Sequence, residues 1–308
     1  MDTHQNGNGK PLRLPDFLHI GPPRTGTTWL HEVLAGHVGL PEGKSTRYFE
    51  TQYHRGIEWY ADFFKDCPAD LPCGEMQAHT FSDTVARNRI RKDLPNCKII
   101  CSFRDPATRL YSAYRLLHRG YGGAVPDTFD EYWRSLLVAC GYDLCSYATN
   151  LRRWQQAFGK DRVLVLFYED LDSDPQSYLN TFCDFIGAPR LALEKSAVGG
   201  DKVFSAWAGA RNNSVSKYMI KAMSWLDKHG GHTLTQLGKN TRARHTIRRF
   251  FVEDYEPMSQ ASADEIREMM LPETEELEHM TGRDLSSWKP LAQRKGERVH
   301  EARLATSL

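Results

Sequence analysis

Residues 17–30 read Phe17-Leu18-His19-Ile20-Gly21-Pro22-Pro23-Arg24-Thr25-Gly26-Thr27-Thr28-Trp29-Leu30. A short apolar run passes into a Gly-rich turn, and a helical pattern begins near Thr27. A strand–turn–helix of this kind aims free backbone N–H groups, and the positive end of a helix, at a bound phosphate. The spacing almost reproduces the nucleotide-triphosphate loop G-x-x-x-x-G-K-[ST], with Gly21, Gly26 and Thr28 in register. Thr27 stands where the Lys belongs, and a cation comes earlier, at Arg24. The loop Lys is the residue that reaches the β/γ-phosphates. The stretch therefore reads as a phosphate loop ill suited to phosphoryl transfer from ATP.

Outward from this loop, strands and helices alternate. Further strands are expected at Cys73–Gln77, Lys98–Phe103 and Val163–Phe167. Helices are expected at 56–65, 80–93, 106–119, 129–139, 147–158 and 175–185, with a last amphipathic helix at 264–280 around Pro272. Residues 42–55 read as a polar and aromatic loop. The alternation predicts an α/β fold in three layers, a central parallel sheet flanked by helices. Residues 1–14 read as a disordered tail, 15–289 as one domain, 195–250 as a covering region within it, and 290–308 as a polar tail.

Composition narrows the function classes. The chain has 308 residues, 26% of them charged, and a net charge of +1. No global field argues for a nucleic acid partner. No apolar run approaches the roughly 20 residues that span a bilayer. The polar first ten residues lack the apolar segment of a secretory leader, so a cytoplasmic location is the expectation. Seven cysteines include no C-x-x-C, and metal: none is the reading, with reduced thiols as the default. Cys67 and Cys73 could pair only in an oxidising setting.

A second phosphate element follows at residues 98–114, Lys-Ile-Ile-Cys-Ser-Phe-Arg104-Asp-Pro-Ala-Thr-Arg-Leu-Tyr-Ser112-Ala-Tyr. A later stretch reads Arg162-Val-Leu-Val-Leu-Phe-Tyr-Glu-Asp-Leu171 with Asp174-Pro175, and the last is Gly282-Arg-Asp-Leu-Ser-Ser-Trp288. Together with the first loop, these resemble the PAPS-dependent sulfotransferases, of the bacterial and heparan-type group (PAPS is 3′-phosphoadenosine 5′-phosphosulfate). That family writes P-[KR]-[ST]-G-T-T-x-L for its 5′-phosphosulfate loop. For the 3′-phosphate it writes a strand, R-[DN]-P and a Ser eight residues after the Arg. The resemblance spans roughly residues 16–289. It implies a P-loop-like fold and transfer of a sulfuryl group from PAPS to a hydroxyl or amine of a small-molecule or carbohydrate acceptor. Adenosine 3′,5′-bisphosphate (PAP) is then the product, and no metal is required.

The resemblance assigns roles residue by residue. Arg24 would be the cation at the 5′-phosphosulfate, where a guanidinium can bind two oxygens. Thr25, Gly26, Thr27 and Thr28 would supply N–H and hydroxyl donors. Trp29 would either stack on adenine or face the sheet. Arg104 and Ser112 would hold the 3′-phosphate, above the carboxyl edge of the sheet where open α/β folds bind ligands. Arg211 resembles the late loop that covers the nucleotide.

The acceptor-side base departs from the pattern. The family's K-E-x-x-[FY]-F reads Lys44-Ser45-Thr46-Arg47-Tyr48-Phe49 here, and its E-K-[ST]-P keeps Glu75 but has Met76 for the Lys. His79 and Glu75 are the replacement candidates, with Glu50 and His54 behind them. An imidazole suits proton abstraction near neutrality. Two other readings stand beside this one: a nucleotide kinase or NTPase with a degenerate loop, and a non-catalytic relative that binds PAP.

Overall fold

The computed structural model describes residue 9 and residues 11–121, 125–140, 145–193 and 257–294. The expected covering region, with Arg211, lies outside the described residues. Four parallel strands form the sheet: β1 (Phe17–His19), β2 (Gly74–Met76), β3 (Lys98–Phe103) and β4 (Val163–Phe167), in the spatial order β2-β1-β3-β4. The first strand is central. Leu18 stands opposite Glu75 on one side and Ile99 on the other.

The period of two along each strand sorts side chains to two faces. Leu18, Ile99, Cys101, Phe103 and Val163 enter one buried cluster, while Phe17, Ile100 and Leu166 enter the other. α1 (Thr27–Leu34) covers the second face through Leu30 and Leu34. α2 (Ile57–Ala61) and α3 (Thr84–Asp93) cover the first through Tyr60, Ala86 and Ile90. α3 starts where Asp83 accepts a hydrogen bond from the Ala86 amide at 2.9 Å, a side-chain cap that satisfies an end donor.

α4 (Pro106–Tyr121) follows β3 directly, and α5 (Phe129–Cys140) follows it. α6 (Tyr147–Phe158) buries Tyr147, Leu151, Trp154 and Phe158 against the first cluster. α7 (Tyr168–Ser173) and α8 (Pro175–Ile186) return to the second face. Asp174 caps α8 by accepting from the Ser177 amide at 3.0 Å, and Pro175 sits in the first turn, where its missing N–H costs nothing.

Three expectations change. The final helix is two, α9 (Gln260–Met269) and α10 (Leu271–Thr281), because Pro272 lacks an N–H and cannot continue a helix through it. Residues 11–14 are tied down rather than loose: Arg13 donates to Leu71 O at 2.8 Å and pairs with Asp16 at 3.0 Å, and Leu14 packs on the core. Residues 42–55 are not all loop. Tyr48–Gln52 makes a π-helical turn and Tyr53–Arg55 a 3₁₀ turn.

The chain forms two compact units. The sheet and its covering helices belong to the larger. Of the smaller, the described residues are 110–121, 125–139 and 257–259; there Tyr114 donates to Asp127 O at 2.5 Å and Tyr111 meets Phe129 edge-on at 5.2 Å. Ser112 lies in this unit.

Candidate active site

The loop after β1 is built on two glycines. Gly21 has φ 93°, and a Cβ there would stand 2.1 Å from Ala78 O; Gly26 has φ 90°, and its Cβ would stand 2.7 Å from Leu171 Cδ2. Only glycine fits either place. Beneath the loop runs a buried polar relay. The Gly21 amide donates to His19 Nδ1 at 3.2 Å, so the ring proton sits on Nε2 and is given to Ser102 Oγ at 2.8 Å. Ser102 Oγ lies 3.0 Å from Tyr178 OH. Complete burial pushes the His19 pKa down to about 3, helped by the charge of Lys44, so this imidazole is neutral throughout the physiological range.

Gly26 caps α1 without a side-chain acceptor. The first-turn N–H groups of a helix have no partner within the helix. Thr25 does not present its hydroxyl outward, since it donates to Pro22 O at 2.7 Å inside the turn. Thr27 and Thr28 behave differently. Both hydroxyls accept from Lys44 Nζ, at 2.8 and 2.7 Å. Trp29 is half-buried and meets Tyr178 edge-on at 6.2 Å, so it leans on the core beside the relay.

Lys44 is the residue that the sequence reading missed. The phosphate-loop pattern has Thr27 where the lysine belongs, and the ammonium arrives instead from 17 residues later. The backbone explains its placement: the Met76 amide donates to Lys44 O at 3.2 Å, so the lysine runs alongside β2. Among the described residues Lys44 makes no ion pair. Burial first, and then the Arg24 charge, lower its pKa to about 8, with Glu32 opposing both. The signal available in the sequence was the retained Lys of the K-E-x-x-[FY]-F pattern. That pattern had been read for its absent Glu.

Arg24 has a left-handed backbone, φ 73°, a strained conformation for a residue with a Cβ. Arg104 approaches it, with Nη1 donating to Arg24 O at 3.4 Å. The Arg104 guanidinium also lies 4.2 Å over the Tyr168 ring. Its neighbour Asp105 is engaged elsewhere, accepting from Arg267 Nε at 2.8 Å and from the Thr108 amide at 2.8 Å. Arg104 itself makes no ion pair among the described residues. A chain of donors holds its backbone: Arg109 Nε donates to Tyr147 OH at 2.7 Å, and Tyr147 OH donates to Arg104 O at 3.0 Å. The loop, Lys44 and the β3 end thus present three cations and a helix N-terminus at the carboxyl edge of β1 and β3.

On the other side of β1, Glu75 is wholly buried at the centre of β2. Its carboxylate accepts from the Thr46 amide at 2.8 Å, from Thr46 Oγ1 at 3.2 Å, from Tyr60 OH at 2.7 Å and from Gln77 Nε2. Burial pushes its pKa up to about 7 against the pull of the Thr46 and Tyr60 donors. Every oxygen is engaged, and the result is an anchor joining residues 44–48 to β2. His79 is the contrast. It is exposed, and its ring makes no hydrogen bond with a described residue. Desolvation lowers its pKa, as do the charges of Arg47 and Lys44, with Glu50 opposing them. At neutral pH it is an imidazole with an accessible lone pair. Glu50 accepts from Thr80 Oγ1; its other oxygen is buried without a partner among the described residues.

A family model described as "Sulfotransferase domain" matches residues 14–198. The chain is 30% identical over 201 residues to the human "Bifunctional heparan sulfate N-deacetylase/N-sulfotransferase 2", covering 57% of this chain and 22% of that protein. It is 32% identical over 236 residues to the Xenopus laevis "Bifunctional heparan sulfate N-deacetylase/N-sulfotransferase 1", covering 68% of this chain and 26% of the relative. The chain thus spans only 22% and 26% of the length of these two curated relatives. Among solved structures, a sulfotransferase from Alicyclobacillus acidocaldarius superposes with a TM-score of 0.60 at 19% identity, covering 89% of this chain and 98% of that one. This last likeness is one of fold.

Proposed function

The chain belongs to the sulfotransferase domain family, and from that premise we propose that it moves the sulfuryl group of PAPS to an amine or hydroxyl of a glycan, releasing PAP. The observation that carries this reading is Lys44, a desolvated ammonium that makes no ion pair among the described residues, held on Thr27 and Thr28 beside Arg24. Two cations brought together at a helix N-terminus repel each other until an anion lies between them. PAPS supplies the sulfuryl group and, on the opposite side of the bond to be broken, a phosphate as leaving group.

Negative charge grows on the bridging phosphate oxygen as that bond breaks. Lys44 and Arg24 stabilise it there, and preorganised charges of this kind do most of the work of catalysis. Arg104, which makes no ion pair among the described residues and is braced by Tyr147, takes the 3′-phosphate. His79 accepts the proton of the attacking group. The neutral ring suits that task, and the buried, fully engaged Glu75 positions the loop instead. The glycan acceptor rests on the curated relatives, which are named heparan sulfate N-deacetylase/N-sulfotransferases.

Purified protein is titrated with PAP, and with ATP plus magnesium as the control. Tight PAP binding with weak ATP binding is expected, and the reverse order would restore the kinase or NTPase reading. Labelled PAPS with de-N-sulfated heparan sulfate as acceptor should then give labelled glycan. His79→Asn should lower the transfer rate by about 10²–10⁴ while PAP affinity holds. Saturable PAP binding without transfer to a broad acceptor panel would mean a non-catalytic relative.

A further inference from the structure

Cys67 and Cys73 flank a turn, Cys67-Pro-Ala-Asp-Leu-Pro-Cys73, that takes no part in the site described above. The fold sets both side chains against one point. A Cβ built on Gly39 would stand 2.7 Å from Cys67 Cβ, 2.7 Å from Cys73 Cβ and 2.8 Å from Cys67 Sγ. The two Cβ atoms are therefore separated by at most twice that first distance. A disulfide spans about 3.5–4.5 Å between Cβ atoms, a separation within that bound. Glycine at 39 is what leaves room for them. Both cysteines are free thiols in this structure, Cys73 buried and Cys67 partly exposed.

The surroundings fix the pair in place. The Cys73 amide donates to Asp16 Oδ2 at 2.9 Å and its Sγ donates to Leu14 O at 3.3 Å. The Cys67 amide donates to Phe64 O at 3.0 Å, and the Gly39 and Gly74 amides donate to Pro72 O and Gly39 O, each at 2.9 Å. Two prolines, Pro68 and Pro72, stiffen the turn between them. Three segments of chain thus meet at one dithiol: the stretch after α1, the stretch after α2, and the start of β2.

We propose that Cys67 and Cys73 are a site of reversible oxidative modification, joined into a disulfide by a peroxide. The exposed Cys67 thiolate attacks one peroxide oxygen, the O–O bond breaks, and Cys67 becomes a sulfenic acid as hydroxide leaves. Cys73 Sγ then gives up its proton and attacks the Cys67 sulfur, the S–S bond forms, and water leaves. Two thiols are oxidised to one disulfide, and one hydrogen peroxide is reduced to two waters. Burial raises both thiol pKa values, Cys73 to about 12. Asp16 and Asp66 add to the rise, and the Arg13 guanidinium opposes it. The reaction is accordingly slow at neutral pH.

Both cysteines fall on one tryptic peptide, residues 66–87, which makes the test direct. The full chain is treated with hydrogen peroxide, remaining thiols are alkylated, and that peptide is weighed. The expected product is lighter by two hydrogens than the unalkylated peptide and reverts with dithiothreitol. The oxidised chain should melt about 5 °C above the reduced one, a shift absent in Cys67→Ser. An oxygen adduct on Cys67 beside an alkylated Cys73, or two alkylated cysteines, would overturn the proposal. Should Cys67→Ser fail to fold, phenylarsine oxide on the unmodified chain provides the second reading. This reagent bridges two adjacent thiols. Protection of both from alkylation supports the pair, and alkylation of both overturns it.

Discussion

Lys44 sets a pH dependence that no surface lysine would show. Its folded pKa, about 8, lies below the ordinary lysine value because burial and Arg24 penalise the charged form. The sign follows from which form each state prefers. A bound anion favours the ammonium, so binding is full below pH 8 and weakens above it, where the lysine must first take up a proton. PAP affinity should therefore fall by up to about tenfold per pH unit above 8. The phosphates of PAP are already ionised there and add nothing to the slope. Calorimetric titrations at pH 7 and pH 9 read it directly, and Lys44→Met should bind more weakly at pH 7 with a flat profile. A slope that survives in Lys44→Met would assign the proton to another group.

At the scale of elements, β2 is three residues long, and what holds it to the acceptor-side loop is chiefly Glu75. Removing that carboxylate leaves the Tyr60 hydroxyl, the Thr46 amide and the Gln77 amide group with no acceptor in a dry interior. Buried donors left unmade cost about 1–3 kcal/mol each, less whatever water can enter to satisfy. Glu75→Ala should destabilise the fold by about 3 kcal/mol in urea titrations, and Lys44 should lose its fixed place with the loop. A loss below about 1 kcal/mol would mean the network is dispensable. Much of this layer was legible beforehand. β3 and β4 were plain in runs such as Lys98-Ile-Ile-Cys-Ser-Phe103, because strands buried on both faces demand continuous apolar residues. The π-helical turn at Tyr48–Gln52 was not legible. Its residues carry no helical spacing, and it is held from outside, by Arg89 Nη1 donating to Phe49 O at 2.7 Å. Nor was the place of Lys44 beside Arg24, since nothing local to Lys44 says that β2 will carry it to Thr27 and Thr28.

Across the larger unit, the carboxyl end of β3 is tied to the last helices of the chain. Arg267 on α9 and Asp105 form an ion pair whose side chains are 10% and 6% exposed. Glu169 accepts from the Asp105 amide at 3.1 Å and from Trp288 Nε1 at 3.2 Å. Breaking one side of a buried pair costs about 3–5 kcal/mol, because a charge is left without its partner. Asp105→Ala should lower the melting temperature sharply, while Asp105→Ala with Arg267→Met should recover part of the loss. No recovery in the double variant would show that the cap on α4, not the ion pair, carries the effect. The sequence identified Arg104-Asp105-Pro106 as a unit but offered no sign of a partner 162 positions later. The placement of Lys44 has a further thermodynamic consequence. One segment, residues 44–48, brings the Lys44 ammonium to Thr27 and Thr28 and the Arg47 charge to bear on His79. Anything that shifts this segment when one substrate binds changes the free energy of binding the other by the same amount. On the proposed function, occupancy by donor and by acceptor are then linked functions, and one coupling free energy should appear in both binding constants.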